Sequence, residues 1–309
     1  MAVVFLRKCN LINCLLISIV CFVCMNVTNW VHLRYSNSQS ISNGELGYEP
    51  SNRTIFDHRN VCHSNSSLLI VIKSRVSDFD TRSILRQSFL KMATNLSIPY
   101  LFVVGTADSL IMDKVLIENQ RNADILMVNI SDTYNHLTHK SIFVIDWVST
   151  YCTNKWLLYI DDDVIPNLVN IMRMVESMDS SFAAIYGNIR HNSTVIRDFR
   201  SKWFVSYNSW PSDQWPMYLI GAGVLYSPSA IIKLTKVVKH KTCQPIIRID
   251  DIYVNGIVAK CANVMHRSLK MASLTQRQCK KSYFDILHLL VEQGRGDRYI
   301  DCWKSITPD

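Results

Sequence analysis

No run of Lys or Arg longer than a pair occurs in this 309-residue chain, although its formal net charge is +8. Scattered positive charge of this kind lacks the clustered footprint that nucleic acid requires. No zinc-type spacing of Cys and His accompanies the acidic clusters, and no Ser-His-Asp pattern or other nucleophile motif appears, which sets aside hydrolase chemistry of that kind. Internal repeats are missing, and so is a second domain with its own core. Nearly half the residues are apolar (48%) and aromatics make up 10%, so the chain is not a disordered one.

Charge is also missing locally. No Asp, Glu, Lys or Arg lies between Lys8 and Arg34, and Leu15 to Met25 is apolar throughout except for Ser18. Such a window suits a membrane span, for which about 20 residues are normally needed. Arg7 and Lys8 precede it, so the positive-inside bias puts the N-terminus in the cytosol and the rest of the chain in the lumen. A cleaved signal peptide is the rival reading, but Cys24-Met25-Asn26 offers no small-x-small exit. The expected layout is a cytosolic tail (1–8), a transmembrane signal anchor (9–31), a Ser- and Asn-rich stem (32–66) and a lumenal domain (67–309). Beyond the anchor remain Cys62, Cys152, Cys243, Cys261, Cys279 and Cys302, an even number that suits up to three disulfides. Sequons at Asn26, Asn52, Asn65, Asn95, Asn129 and Asn192 agree with a secretory route.

From Leu68 onward the pattern changes. Residues 68–72, 100–104, 124–128 and 156–160 are short apolar runs of buried-strand length. Between them, Leu137, Val144, Trp147, Val148 and Tyr151 recur at helical spacing. So do Leu168, Ile171, Met172, Val175 and Met178, after a Pro166 that a first helical turn tolerates. Strands alternating with helices predict an α/β fold, with a mostly parallel, Rossmann-like sheet covered on both faces. Ligands bind such sheets beyond the carboxyl ends of the strands.

One strand ends in Asp161, Asp162 and Asp163. Adjacent carboxylates repel unless a cation or donor groups share the site, and hard oxygen donors suit Mn²⁺ or Mg²⁺. The alternative is an acidic turn capping the next helix. A second pair, Asp250 and Asp251, stands in an otherwise apolar segment, where a buried carboxylate can serve as a general base; the alternative there is a helix N-cap.

With these residues in view, the chain resembles the β-1,3-galactosyltransferase and N-acetylglucosaminyltransferase family, glycosyltransferase family 31, in the manner of a divergent invertebrate member. Residues 81–89 are similar to its Arg-x-x-Ile-Arg-x-Thr-Trp block through Arg82 and Arg86. Residues 132–140 are similar to its Asp-Ser-Tyr-x-Asn-Leu-Thr-x-Lys block through Asp132, Tyr134, Leu137, Thr138 and Lys140. The run from Ile160 to Val164 resembles the metal motif, 202–206 and 215–227 the Trp-Tyr-Val-Ser and Tyr-Pro-x-Tyr-x-x-Gly-Gly-Gly stretches, and 249–256 the Glu-Asp-Val-Tyr-x-Gly motif.

The resemblance implies a GT-A fold, a UDP-sugar donor, Mn²⁺ (or Mg²⁺) as cofactor, a glycan acceptor on glycoprotein or glycolipid, and a Golgi membrane location with type II topology. It implies no nucleic-acid partner, and a homo-oligomer is compatible with it. Asp163 would hold the metal with His266, or alternatively His288. Arg82, Arg86, Lys140, Asp161, Asp162 and Asp250 would face the donor, and Gly221 and Gly223 would let backbone approach the sugar. Trp215 and Tyr218 are candidates for stacking on a sugar, or for aromatic core. Asp251 would be the base of an inverting displacement. Departures are Asp250 in place of Glu, Ala222 inside the glycine triplet, and a final glycine displaced by one at Asn255-Gly256. A catalytically silent relative, acting as a lectin or chaperone, is the rival function. The topology is directly checkable. In intact vesicles a C-terminal tag resists protease, and glycosidase shifts the mass of the protein through at least one of Asn52, Asn65, Asn95, Asn129 or Asn192; a digested tag reverses the orientation.

Overall fold

A computed structural model describes residues 54–240, 242–243, 246–274, 279–280, 289–292 and 297–306. The predicted tail and anchor, the first part of the stem and His288 lie outside the described residues. Among the described residues no helix is long and apolar enough to cross a membrane.

All four predicted strands form: β2 (Leu68–Lys73), β3 (Tyr100–Thr106), β4 (Ile125–Ser131) and β5 (Trp156–Asp161), with β1 (Thr54–Phe56) ahead of them. They lie side by side in the order β1-β4-β3-β2-β5, the last four mutually parallel. Beyond β5 the sheet continues through β10 (Gly223–Tyr226), β7 (Ala184–Gly187) and β11 (Met265–Ser268). Here β10 runs antiparallel to both neighbours and β11 parallel to β7, so the sheet is mixed, with its parallel part at the centre. Two small sheets flank it: β6 (Val164–Pro166) with β12 (Met271–Leu274) and β13 (Leu289–Glu292), and β8 (Ile189–Arg190) with β9 (Tyr218–Leu219).

The central strands are continuously apolar because both faces are covered. Along β2, Leu69 and Val71 point into one core with Trp147 and Val148, from helix α4 (Leu137–Tyr151), and Leu234, from helix α6 (Pro228–Lys239). Leu68, Ile70 and Ile72 point into the other, against α1 (Phe79–Gln87), α2 (Phe89–Asn95), α5 (Leu168–Ser177) and α8 (Asp297–Ile306). Each fully buried side chain of this size contributes about 1.5–3 kcal/mol. Helix α3 (Ser109–Asn122) closes a smaller cluster with Val104 and Met127.

Several details differ from expectation. Residues 54–66 are not loose stem: Thr54 and Phe56 are buried, β1 adds to the sheet beside β4, and Cys62 is bonded to Cys152. Polar composition hid this, since an edge strand of three residues carries little pattern. The remaining cysteines pair as Cys243–Cys261 and Cys279–Cys302. Pro166 does not open a helix but closes β6; Asn167 caps α5, accepting from the Asn170 N–H at 3.1 Å. Helix α7 combines Asp250–Ile252, a π-helical turn Tyr253–Val258 and Ala259–Cys261. Sequons at Asn65, Asn95 and Asn192 are exposed, whereas Asn129, in β4, is half-buried.

Candidate active site

Lys73 is the last residue of β2 and stands directly beside Asp161, the last residue of β5. Its ammonium is buried, yet it sits 2.7 Å from Asp161 Oδ1 and 3.6 Å from Asp250 Oδ2, and donates to the Gly221 carbonyl oxygen at 2.6 Å. Burial by itself would discharge it, but Asp161 and Asp250 outweigh that and hold its pKa well above the ordinary lysine value. Burial pushes the Asp161 pKa up to about 7, with Lys73 opposing and Asp163 and Asp250 adding to the rise. The Asp161 side chain keeps 39% of its surface open to the cavity described below, and water there tempers that rise.

The second carboxylate pair meets the first through this lysine. Asp250 accepts from Ser141 Oγ of α4 at 2.9 Å. Asp251 accepts from the Gly221 N–H at 3.4 Å and the Ile252 N–H at 2.9 Å. Burial, reinforced by Asp250, pushes the Asp251 pKa up to about 6, although Lys73 and the two N–H groups oppose it. Gly221 is therefore the floor between the pairs: a Cβ there would lie 3.0 Å from Asp251 Cβ. Neither capping alternative holds. Ile249 occupies the N-cap of α7, and strand β6 separates the Asp triplet from α5.

A cavity of about 570 Å³ opens at the carboxyl ends of β2, β4 and β5, within the usual range for ligand sites. Lys73, Ser74, Arg75, Asp132, Lys140 and the three aspartates Asp161, Asp162 and Asp163 are among its lining. Lys140 is paired with Asp132 and donates to the Ser74 carbonyl at 3.2 Å. Arg82 and Arg86 are not in that lining. Arg82 is fully buried: Nη2 lies 2.6 Å from Glu118 Oε2, and the guanidinium also holds Ser74 Oγ and the Arg75 and Val76 carbonyls. Arg86 is paired with Asp124 and Glu118. Arg82 thus acts from beneath, fixing the turn after β2 that forms one cavity wall, while Arg86 shares its partner Glu118 and holds Asp124 ahead of β4.

Two glycines part company. Gly221 belongs to the site, but Gly223 lies within β10, where a Cβ would press on the buried Leu289 side chain. Close packing explains Gly223, not approach to a sugar. Trp215 is buried with its ring 5.3 Å from that of Trp210, so it belongs to the core; Tyr218 packs against that core from β9. His266 Nε2 donates to the Asn255 carbonyl, and burial lowers its pKa. Among the described residues no three His, Cys, Asp or Glu side chains are grouped to hold a metal ion, so His266 is not brought to the triplet. A hard divalent ion at a nucleotide site needs only one or two carboxylates, with phosphate oxygens and water completing its shell. Asp162 and Asp163, facing the cavity, meet that smaller requirement.

Lys73 was the residue that sequence reasoning missed. Its one signal is a charge closing an otherwise apolar strand, in register with the triplet.

Carboxylates and cations gather beyond the carboxyl ends of the parallel strands, the place where α/β folds bind their ligands. Residues 80–270 match the galactosyltransferase family, and the chain belongs to that family of hexosyltransferases. Similar relatives include the human lactosylceramide 1,3-N-acetyl-beta-D-glucosaminyltransferase, 25% identical over 84% of this chain and 71% of its own length. The mouse beta-1,3-galactosyltransferase 1 is 25% identical over 67% of this chain and 64% of its length. The chain thus spans about two thirds of the length of such relatives. Among solved structures, the galactosyltransferase LgtC in complex with donor and acceptor sugar analogs aligns at 12% identity over 78% of this chain and 97% of that chain, with a TM-score of 0.41.

Breaking the lysine hub gives a stability test. Lys73→Met leaves Asp161 and Asp250 without their cation, and the expected loss is about 3 kcal/mol, the low end for a broken buried pair because Asp161 is partly open. Urea denaturation measures it, and an unchanged midpoint would show that the ion pairs carry no net stability.

Proposed function

We propose that the protein is an inverting, metal-dependent hexosyltransferase of GT-A architecture. It moves galactose or N-acetylglucosamine from a UDP-sugar to a glycan acceptor on glycoprotein or glycolipid, forming a β-1,3 linkage. The proposed setting is the Golgi lumen, with the chain held by its N-terminal span as a type II membrane protein. The observation that carries this reading is the link from Asp161 through Lys73 and Gly221 to Asp251, which joins a donor-side carboxylate to a candidate base. Of the two relatives named above, one is named for transfer of N-acetylglucosamine to lactosylceramide, a glycosphingolipid, and the other for transfer of galactose.

In this reading Asp163, with Asp162 beside it, holds the divalent cation. When bound, that ion neutralises charge on the departing diphosphate. Lys140 and the turn at residues 74–76, fixed by Arg82, shape the nucleotide side; Asp161 and Asp250 face the donor sugar. Asp251 accepts the proton of the acceptor hydroxyl as that oxygen bonds to the anomeric carbon. The bond from that carbon to the phosphate oxygen breaks, and UDP leaves with the electron pair. Inversion requires such a base opposite the leaving group. A base with a pKa near 6 is ionised at neutral pH without being too weak to take the proton.

Each of these roles can be tested. Transfer by the full-length chain is screened with UDP-Gal, UDP-GlcNAc, UDP-GalNAc and UDP-Glc against lactoside and N-acetyllactosaminide acceptors; no transfer from any donor would favour a silent, lectin-like relative. Asp163→Ala should abolish the Mn²⁺ dependence of UDP binding in titration calorimetry while melting normally, and unchanged dependence would remove Asp163 from the metal site. Asp251→Asn should keep UDP affinity but lower transfer about 10²–10⁴-fold. In the wild type, kcat/KM should rise with pH through about 6 and level above it, because the carboxylate is the active form. Full transfer by a well-folded Asp251→Asn protein would exclude Asp251 as the base.

A further inference from the structure

The cations that the sequence offers to a phosphate are engaged with carboxylates of the same chain. Arg82 is buried against Glu118, and Arg86 is paired with Glu118 and Asp124. Of the cations that line the cavity, Lys73 stands 2.7 Å from Asp161, and Lys140 is paired with Asp132. Drawing either lysine onto a ligand would leave its carboxylate without a counter-charge, and the Asp132 side chain is itself buried. The three aspartates Asp161, Asp162 and Asp163 crowd the same lining, so an anion entering there needs a cation that is not already matched.

Arg75 meets that need. It lines the cavity and is exposed, between a buried Ser74 and a buried Val76. Among the described residues its guanidinium makes no hydrogen bond, ion pair or ring contact, and its backbone N–H has no acceptor. Lys202, the remaining cation of the lining, has its Nζ 4.4 Å from the Trp203 ring centroid.

The backbone that carries Arg75 is, by contrast, fixed at nearly every polar atom. The Ser74 N–H donates to the Val103 carbonyl at 3.2 Å, and the Ser74 carbonyl accepts from Lys140 Nζ at 3.2 Å. The Arg75 carbonyl accepts from the Asp78 N–H at 3.1 Å and from Arg82 Nη1 at 2.5 Å. The Val76 N–H donates to Asp132 Oδ2 at 2.5 Å, and the Val76 carbonyl accepts from Arg82 Nη2 at 3.1 Å. An uncommitted side chain on so constrained a backbone is pre-organised, since binding then has only that side chain to order. A guanidinium fork also matches two oxygens of a phosphate at once, which an ammonium does not.

We infer that Arg75 is the side chain that grips the diphosphate of the donor. This rests on the UDP-sugar reading of the same cavity and divides the work of the turn after β2. Lys140, Asp132 and Arg82 are positioning residues that build the turn, and Arg75 binds from it.

The test uses the full-length chain with Mn²⁺ and reads binding without turnover, with UDP followed by titration calorimetry and uridine by saturation-transfer NMR. Arg75→Ala should weaken UDP about tenfold or more, the scale of one lost hydrogen bond to a charged group, and leave uridine binding unchanged. Arg75→Lys, which keeps the charge without the fork, should fall between wild type and Arg75→Ala. Thermal melting should be the same for all three proteins, since the side chain supports nothing else. UDP affinity equal in wild type and Arg75→Ala would overturn the assignment. So would an equal loss of UDP and uridine, which would put Arg75 on the nucleoside instead. Wild type that binds neither UDP nor inorganic pyrophosphate would sink the donor reading and the role of Arg75 together. Arg75-dependent UDP binding without transfer from any UDP-sugar would sink only the transferase reading and leave Arg75 as the diphosphate ligand.

Discussion

A single buried ammonium organises this protein's functional end. Lys73 lies where two parallel strands stop, and strand register puts Asp161 beside it without any loop having to be ordered. From there it reaches Asp250 and the Gly221 carbonyl, the latter 148 residues away in sequence, so distant pieces of chain share one cation. Carboxylates crowded in this way would repel each other and take up protons. The lysine lets Asp161 and Asp250 stand close together, and Asp251 is then oriented by the same Gly221 backbone. An arginine would not be equivalent, because a compact ammonium can satisfy converging oxygens from several directions.

The rest of the fold serves that convergence by rigidity. Alternate residues of the central strands fill two separate cores, so a shift of one residue in any strand would exchange the faces. This is why the register of β2 and β5 is secure enough to aim a charged pair. On the outer side, Arg82 uses Glu118 and backbone carbonyls to hold the turn after β2, and Arg86 pairs with Glu118 and Asp124 beside it. Charges that look like exposed helix decoration in a linear sequence are internal struts.

The central architecture was legible in the sequence because strands buried on both faces are uninterrupted apolar runs, and α4 is long enough to show its period. The triplet was legible for the opposite reason, since charge after such a run needs a cause. Lys73 was not, because one charge at a strand end has no pattern; its meaning arises from Asp161, in a strand formed 88 positions later. The antiparallel β10 and the edge strand β1 were too short to carry alternation. Gly221 and Gly223 looked alike in sequence, and only their neighbours tell them apart: carboxylate in one case, Leu289 in the other. His266 stands in the edge strand β11, separated from β5 by β10 and β7, with its imidazole on the Asn255 carbonyl.

The π-helical turn at Tyr253–Val258 bears on the glycine displaced by one position in the last family-like motif. An α-turn widened to the i→i+5 pattern holds one more residue than its neighbours. Such a turn can absorb an inserted residue locally, so that the helix on either side keeps its place, with Asp250 beside Lys73 and Asp251 on the Gly221 N–H. Within that turn, Asn255 is held on both its amide and its backbone: its side-chain oxygen accepts from the Tyr226 hydroxyl and its carbonyl from His266. Gly256 lies against Tyr218, leaving no room for a side chain. Through Asn255 and Gly256 the widened turn fastens α7 to β9, β10 and β11, and so holds the helix that carries the two carboxylates.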